Sequence, residues 1–329
     1  MSPVIIGTVG QINLYAHQAL WIVGIGLCLW LGLYRSRKAG INAKACTIFA
    51  PLALVFGFFF AHLFYCLARF EYALYDLPAG SFFRFWEGPY MLYGAVTGCA
   101  IAAWLAAKLS KAPVLPFMDA LSPAAALLIA ISRIAEGLSG QGYGAYLEDG
   151  SAFAHFPFAV YDAYYEAWAW AVFVPAALVA LCIFVVLLCV KRGKAGDKVL
   201  LLLGLYAAAQ ILLESLRRDD FLRWGFVRCS QVLSAVLLFF VLLCYFLRAK
   251  GRKPLRRALC FLGYAAMIVL CLLLEFAVEQ RISFLQFMEA GTCYAVMGCA
   301  CMVLWACLLG MRSASLAERG EEVPFQADK

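Results

Sequence analysis

The sequence predicts an all-α integral membrane protein, a polytopic bundle of about nine transmembrane helices. Two features of the composition indicate this class: 65% of the 329 residues are hydrophobic and only 14% are charged, against about 25% in ordinary soluble domains. The third observation is the length of the apolar runs, since a bilayer core requires about 20 apolar residues per helix. Such runs lie near residues 14–34, 47–67, 90–108, 115–135, 166–190, 198–215, 229–247, 257–277 and 287–310.

Basic residues concentrate in alternate connections between these spans. They occur in "YRSRKAGINAK" at 34–44, at Lys108 and Lys111, in "KRGKAGDK" at 191–198 and in "RAKGRKPLRR" at 248–257. By the positive-inside rule these connections are cytoplasmic, so we expect the N-terminus outside and, with nine spans, the C-terminus inside. The formal charge of +7 then follows from topology. It does not indicate a nucleic-acid partner, because no nucleic-acid-binding motif accompanies the dispersed basic residues.

The polarity of the chain divides it into three parts. We expect a seven-helix membrane domain over residues 1–247, an appended two-helix membrane extension over 248–311 and a polar cytoplasmic tail over 312–329. Most of the 14 cysteines fall within the spans, where a free cysteine behaves as a small hydrophobic residue. Their spacing indicates neither a disulfide framework nor a metal site, and we expect no cofactor.

Polar residues share one face of the span at 198–215. Gln210, Glu214 and Arg217 are separated by four and three residues, which places them side by side on a helix. An ionisable group within a span is costly when it faces lipid, so Glu214 should face the protein interior or a water-filled cavity. Two interpretations stay open: a structural ion pair that holds the helix end, or an anion-binding or catalytic face.

A second charged pair ends the span at 115–135. Arg133 and Glu136 lie one helical turn apart. Four glycines follow them: Gly137, Gly140, Gly142 and Gly144. Glycines permit turns and a close approach of the backbone to a ligand, so main-chain N–H groups there would help to hold an anion. Arg133 is either a snorkelling residue at the membrane surface or a phosphate ligand, and Glu136 is its ion-pair partner or a base.

Other candidates are aromatic or imidazole side chains near the ends of spans. Tyr15, Tyr93 and Tyr161 are either interfacial anchors, a common role of tyrosine in membrane proteins, or hydroxyl groups of a site. His155 lies in the connection before the fifth span. It is either an ordinary loop residue or a group that reaches the site.

The order of these features resembles the prolipoprotein diacylglyceryl transferase family. The similar segments include "INLYAHQALWIVGIGL", "GFFFAHLFYCLARF", "MLYGAVTGCA", "ISRIAEGLSGQGYG", "FPFAVYDAYYEA", "LLLGLYAAAQILLESLRRDD" and "GFVRCSQVLSAVLLFF". They cover residues 3–245 and leave the two-helix extension unmatched. The resemblance implies seven spans with the N-terminus outside. It also implies transfer of a diacylglyceryl group from phosphatidylglycerol to the thiol of a lipobox cysteine, with glycerol-1-phosphate as the leaving group.

The resemblance carries several site positions with it. Arg133 matches the arginine of the family's signature, and Gly144 matches the glycine that closes it. Tyr15, Glu214 and Arg217 also match family positions. Pro157 and Tyr161 fit an outer motif of the family, in which Asp162 stands where glutamate is usual.

This chain departs from the family at four further positions. Tyr93 stands where the family has a histidine, Glu136 where it has asparagine, Gln210 where it has arginine, and His62 where it has arginine. A tyrosine with an ordinary pKa of about 10 is a poor base at neutral pH. We therefore expect Glu136, or His155 reaching in from its loop, to deprotonate the thiol.

The resemblance and its departures together give two sets of candidates. The catalytic candidates are Tyr93, Glu136 and Glu214. The substrate-binding candidates are Arg133, Gly144, Tyr15, Gln210, Arg217, Arg218, His155 and Tyr161. The expected partners are anionic phosphatidylglycerol and a prolipoprotein signal peptide, and the expected location is the bacterial cytoplasmic membrane with the site facing outside. Two alternatives stay open: an inactive lipid- or lipoprotein-binding scaffold, and a transporter or flippase.

Overall fold

The structure, a computed structural model, consists mainly of helices. It describes residues 5–317 apart from 10–11, 77, 79, 87, 191–192, 219–221, 225–226, 249–253 and 280–288. The helices are α1 (Ala16–Lys38), α2 (Ala43–Ala68), α3 (Phe70–Tyr75), α4 (Leu92–Leu109), α5 (Val114–Leu138), α6 (Phe173–Cys189), α7 (Asp197–Ser215), α8 (Cys229–Arg248), α9 (Pro254–Val278) and α10 (Ala290–Ala317). Within the described residues, eight are long and apolar enough to cross a membrane, and α6 is a shorter apolar helix of 17 residues. The predicted polytopic all-α class is confirmed; the side that each terminus faces stays a prediction.

Among the described residues, three short antiparallel hairpins accompany the helices, one before α1 and two between helices. β1 (Ile5–Val9) pairs with β2 (Ile12–Tyr15), β3 (Ala159–Asp162) with β4 (Ala167–Trp170), and β5 (Arg223–Trp224) with β6 (Val227–Arg228). The prediction of a helix starting at residue 166 is wrong, because β4 occupies this stretch and α6 begins at Phe173. In β4, "AWAW", small and aromatic residues alternate with the two-residue period of a strand.

Glycines allow α2 and α4 to pack at close range. A Cβ atom added at Gly94 would lie 2.2 Å from the Phe60 carbonyl oxygen, and one at Gly98 would lie 2.1 Å from that of Phe56. Neither position therefore accommodates a side chain without separating the two helices. The small residues at four-residue spacing serve as packing positions, as is usual for membrane helices.

Helix α7 forms the centre of the bundle. In the apolar stretch of α7, 83% of the residues are buried by the rest of the protein, whereas only 17% are buried in the corresponding stretches of α1 and α2. Its neighbours are α5, α6, α8, α9 and α10. Helices α5 and α7 run in the same direction, because Asp119 near the start of α5 contacts the start of α7 and Arg133 near the end of α5 contacts Tyr206 further along α7. Consequently the two helices also end near each other.

The two-helix extension packs against the rest of the bundle. Helix α10 contacts α7, α8 and α9, and its residues Cys293, Met297, Leu304 and Leu308 are fully buried. The expected division at residue 311 does not coincide with the helix end, since α10 continues to Ala317. Residues 318–329 of the expected tail lie outside the described part of the chain.

Candidate functional site

Four charged side chains meet where α5 and α7 end. Arg133 Nη1 lies 2.6 Å from Glu136 Oε2, and Arg217 Nη1 lies 2.8 Å from the other oxygen of the same carboxylate, Oε1. The Arg217 guanidinium also lies 3.5 Å from Glu214 Oε1. We call these four residues the Arg133 cluster. Glu136 therefore bridges the two arginines, which corresponds to the ion-pair interpretation of the sequence.

The Arg133 cluster is buried and carries no net formal charge. The side chains of Arg133, Arg217 and Glu214 are 9%, 5% and 4% exposed, and that of Glu136 is 17% exposed. Removing charged groups from water costs several kcal/mol for each ion, and pairing with good geometry offsets this cost. Two arginines and two glutamates satisfy each other here, and Glu136 is the member with the greatest access to solvent.

Tyr206 is a component of the site that the sequence interpretation missed. Its hydroxyl oxygen accepts hydrogen bonds from Arg133 Nη2 at 2.5 Å and from Nε at 3.2 Å. Tyr206 precedes Gln210 by four residues and Glu214 by eight, so the same helical spacing that selected Gln210, Glu214 and Arg217 also placed Tyr206 on their face. That periodicity was the available signal.

The side-chain amide of Gln210 makes a hydrogen bond through its nitrogen, whereas its oxygen has no partner among the described residues. Its Nε2 donates a hydrogen bond to Glu214 Oε1. Its Oε1 is buried and has no hydrogen-bond partner among the residues that the structure describes. A buried acceptor without a partner costs about 1–3 kcal/mol, so this oxygen is a place where a bound molecule with a hydroxyl group would gain a partner.

The glycine-rich segment after Arg133 docks the ends of α5, α6 and α7 together. A Cβ atom at Gly137 would lie 2.5 Å from the Phe173 ring, and one at Gly144 would lie 2.9 Å from the Leu216 carbonyl oxygen. Gly142 has a φ of +74°, which favours glycine. These positions need glycine so that the backbone can pass close to its neighbours.

Backbone hydrogen bonds hold this segment in place. The Gly144 N–H donates to the Trp170 carbonyl at 2.7 Å, and the Phe173 N–H donates to the Gly142 carbonyl at 2.9 Å. The Arg218 N–H donates to the Tyr143 carbonyl at 3.0 Å. Thus Gly144 is a structural position in the chain path that brings Arg133 and Arg217 together, and its own N–H is already used by Trp170.

Tyr93 is buried on α4 and bonded to α8. Its hydroxyl shares a hydrogen bond with the Ser234 hydroxyl, which also donates to the Ser230 carbonyl at 2.6 Å. Tyr93 is within electrostatic range of Tyr206, Glu214 and Arg133. The structure therefore places Tyr93 on the side of the Arg133 cluster that faces α4.

Arg228 is a further buried cation that was not selected as a site residue. It is 3% exposed, and its Nη2 donates to the Arg217 carbonyl oxygen at 2.9 Å. This bond ties the start of α8 to the end of α7. A signal for it was present in the sequence, since four arginines lie between residues 217 and 228, in a connection that the positive-inside rule assigns to the outer side and expects to be poor in basic residues.

The remaining predicted site residues make local or different contacts. Tyr15 stacks on His17, whereas His155 meets Phe158 and Tyr161 meets Trp168 edge to face; the ring centroids are 5.5 Å apart in each pair. The Arg218 side chain does not join Arg217: its guanidinium lies 3.5 Å from Glu279 Oε1 and 3.2 Å from the Tyr294 hydroxyl. The structure therefore brings Arg133, Glu136, Glu214 and Arg217 together and directs the Arg218 side chain elsewhere.

Asp162 organises the loop after Gly144. It accepts hydrogen bonds from the Tyr146 hydroxyl at 3.1 Å and from the Tyr164 N–H at 3.0 Å. Burial would raise the pKa of Asp162, but these hydrogen bonds outweigh it, so the pKa is lowered. Burial and the bond to Asp162 raise the pKa of Tyr146 to about 12. Asp162 is therefore a structural residue of the β3–β4 hairpin.

Comparison with known proteins identifies the family to which this chain is similar. Residues 3–247 match the family model described as prolipoprotein diacylglyceryl transferase. The phosphatidylglycerol–prolipoprotein diacylglyceryl transferase of Symbiobacterium thermophilum is 27% identical over 266 residues, which cover 75% of this chain and 94% of the relative. Its namesake from Listeria innocua is 26% identical over 72% of this chain and 86% of its own length.

The matched region contains the whole of α1 to α7 and nearly all of α8, and with them the Arg133 cluster; α9 and α10 lie beyond it. The relatives are bacterial, and the helices identify a multi-pass membrane protein. The chain belongs to the prolipoprotein diacylglyceryl transferase family.

Proposed function

We propose that this protein transfers a diacylglyceryl group from phosphatidylglycerol to the lipobox cysteine of a prolipoprotein signal peptide, at the outer leaflet of a bacterial cytoplasmic membrane. The observation that carries the proposal is the bridge of Glu136 between Arg133 and Arg217. It assembles two guanidinium groups, one from the last turns of α5 and one from the residues that follow α7, within the region that matches the family. The names of the relatives supply the two substrates.

The bridge suggests how an anionic lipid is held. Carboxylate and phosphate oxygens both accept hydrogen bonds from guanidinium groups in similar geometry. The lipid phosphate would therefore take the place of the Glu136 carboxylate between Arg133 and Arg217. Such an exchange keeps both arginines paired, whereas simple addition of the phosphate would give a neutral cluster a negative charge.

The displaced carboxylate then serves as the base for the incoming thiol. A free cysteine thiol has a pKa of about 8.5, so it reacts efficiently when a nearby base takes its proton. In this step the proton moves from sulfur to Glu136, and the sulfur forms a bond to the terminal glyceryl carbon of the diacylglyceryl group. The carbon–oxygen bond to phosphate breaks, and its electron pair leaves with glycerol-1-phosphate, stabilised by Arg133 and Arg217.

Polar residues around the cluster take supporting roles in this proposal. Tyr206 orients the Arg133 guanidinium, and Glu214 orients Arg217. The unpartnered Gln210 Oε1 accepts a hydrogen bond from a hydroxyl group of the lipid's terminal glycerol. Tyr93 lines the site as a hydroxyl group held by Ser234, so it acts by positioning and leaves proton removal to Glu136.

Residues on the adjoining connections are proposed to meet the acceptor peptide. Tyr15 precedes α1, and His155 and Tyr161 lie between α5 and α6. Each of the three side chains makes a ring contact with a residue close to it in the sequence, which leaves their other faces for the signal peptide. Arg218 stays a candidate for a second, outer contact with the phosphate.

The test is transfer by the purified full-length protein in phosphatidylglycerol-containing nanodiscs. A lipobox peptide is added, and mass spectrometry measures the diacylglyceryl adduct on its cysteine. We expect an adduct with phosphatidylglycerol and none with phosphatidylcholine, whose head group lacks a hydroxyl group, or with a Cys-to-Ser peptide. No adduct from phosphatidylglycerol would contradict the proposal.

One observation favours a second candidate, a lipid-binding scaffold without catalysis. Tyr93 occupies the position of the family histidine and is engaged with Ser234. In that case the same nanodisc experiment would show no adduct, while native mass spectrometry would still detect bound phosphatidylglycerol that is lost in Arg133→Gln.

A further inference from the structure

Helix α10 lies outside the region that matches the family, yet it contacts α7 along its length. Tyr294 donates from its hydroxyl to the Ser215 carbonyl at 3.4 Å, at the end of α7. Cys301 Sγ donates to the Ala208 carbonyl at 3.1 Å, and Trp305 Nε1 donates to the Leu205 carbonyl at 2.8 Å. At the other end Arg312 Nε donates to the Asp197 carboxylate. The two helices thus run antiparallel with donors on one and acceptors on the other.

The four donors share one stripe of α10. Residues 294, 301, 305 and 312 are separated by seven, four and seven positions, the spacing of one helix face. Buried apolar residues accompany them on this side, whereas Met302 is 67% exposed. Gly204 of α7 gives room to the Leu308 side chain. In a membrane, hydrogen bonds and close packing between helices supply the association that the hydrophobic effect gives in water.

The acceptors on α7 lie beside the residues that hold the Arg133 cluster. Leu205 immediately precedes Tyr206, which binds the Arg133 guanidinium. Ser215 immediately follows Glu214, which binds Arg217. A shift of α7 along or about its axis would therefore move both partners of the arginines together. Sub-ångström placement of such groups strongly affects a reaction that depends on orientation.

We propose that α10 is a built-in positioning element that fixes the register of α7, and that Tyr294 and Trp305 are its positioning residues for the transfer site. The catalytic part of this inference rests on the proposed transferase function. The structural part, which concerns the register of α7, stands on the contacts alone. Helix α10, which lies beyond the family region, is therefore part of the working site.

The test uses the full-length protein with Tyr294→Phe and Trp305→Phe combined, which removes two hydrogen-bond donors and keeps aromatic rings. The matched control combines Tyr34→Phe and Trp104→Phe, at side chains that are 54% and 50% exposed on the bundle surface. Three readouts are needed: hydrogen exchange of residues 205–217, kcat and KM for transfer, and the melting temperature. We expect about threefold faster exchange for each bond lost, hence about tenfold in the double variant, and a similar fall in kcat with an unchanged KM for the peptide.

Each outcome bears on the inference. A lowered melting temperature with wild-type exchange and wild-type kcat would make α10 merely stabilising and would overturn it, as would equal effects in the control. Faster exchange with an unchanged kcat would overturn the positioning role. If the wild-type protein shows no transfer, the proposed function fails, and the exchange rates alone decide whether α10 fixes the register of α7.

Discussion

The two ends of α5 and α7 carry buried charges that are used in different ways. At their N-terminal ends lie Asp119, Asp197, Tyr245 and Arg312, which we call the Asp119 cluster. Asp119 accepts hydrogen bonds from the Gly196 N–H at 2.6 Å and the Val199 N–H at 3.1 Å. Asp197 accepts from Arg312 and from the Tyr245 hydroxyl. At the C-terminal ends, the carboxylates of the Arg133 cluster pair with arginine side chains, whereas Asp119 binds backbone N–H groups.

The difference shows which cluster has charges to exchange with a ligand. Carboxylates at a helix N-terminus satisfy free backbone N–H groups and are stabilised by the helix dipole, so Asp119 has a structural use. Glu136 and Glu214 lie near helix C-termini, where the dipole disfavours an anion. Their favourable partners in the Arg133 cluster are the arginines, which a phosphate group can also satisfy. The following predictions separate the two clusters, from the largest expected effect on transfer to the smallest.

Arg133→Gln is expected to reduce the transfer rate by at least about 100-fold, because it removes a cation that meets the charge developing on the phosphate. Arg133→Lys retains the charge and loses the forked contacts to Glu136 and Tyr206, so it should recover only part of the rate. Both variants are assayed by adduct formation in nanodiscs. A fully active Arg133→Lys would show that position and charge suffice without the fork.

Glu136→Gln is expected to reduce kcat by about 100-fold, the lower end of the typical contribution of a general base, and to leave phosphatidylglycerol binding at least as strong. The lower kcat follows because the carboxylate that accepts the thiol proton is lost. The undiminished lipid binding follows because the same carboxylate no longer competes with the phosphate for the arginines. The control is Glu148→Gln, an exposed glutamate in the following loop. Full activity of Glu136→Gln combined with wild-type lipid affinity would contradict the exchange model.

Asp162→Asn is expected to loosen the β3–β4 hairpin and to change transfer by less than about threefold. It weakens the hydrogen bonds from Tyr146 and the Tyr164 N–H, and a hydrogen bond to a charged group contributes about 1.5–3 kcal/mol. Because folding lowers the pKa of Asp162, its contribution is complete above its unfolded pKa of about 4 and is lost as the pH falls further. Susceptibility of the 146–170 loop to proteases measures this: in the wild-type protein the loop should stay resistant at pH 5–8 and become cleavable by an acid-active protease below about pH 4, whereas Asp162→Asn should be cleaved faster at pH 5–8 as well.

Asp119→Asn is expected to have the smallest effect on transfer, within about twofold per folded molecule, and a clear effect on stability. Asp119 is fully buried, and poorer capping of α7 should lower the free energy of unfolding by about 1–3 kcal/mol. Thermal denaturation and the specific activity of the folded protein in nanodiscs are measured together. A stable protein with greatly reduced specific activity would mean that the two clusters do not divide their roles in this way.

The sequence was sufficient for the class of fold and for part of the site. Apolar length predicted the spans, and helical spacing predicted that Gln210, Glu214 and Arg217 share a face. The contact between Glu136 and Arg217 could not be predicted from the sequence. It joins the ends of α5 and α7, and their relative position depends on the close packing of Gly137 against Phe173 and of Gly144 against Leu216. Periodicity also cannot choose between neighbours: the Arg217 side chain contacts Glu136 and that of Arg218 contacts Glu279, although the two arginines are adjacent in the sequence.

That neighbouring pair provides the most direct test of the central claim, that the Arg133 cluster holds the lipid phosphate. Arg217→Gln and Arg218→Gln remove the same charge from adjacent positions, so long-range electrostatic effects are closely matched. The measurement is kcat/KM for adduct formation by both variants in phosphatidylglycerol nanodiscs. We expect a loss of at least about 100-fold for Arg217→Gln and of less than about fivefold for Arg218→Gln, which is an exposed ion pair. Equal losses, or a larger loss for Arg218→Gln, would contradict the account.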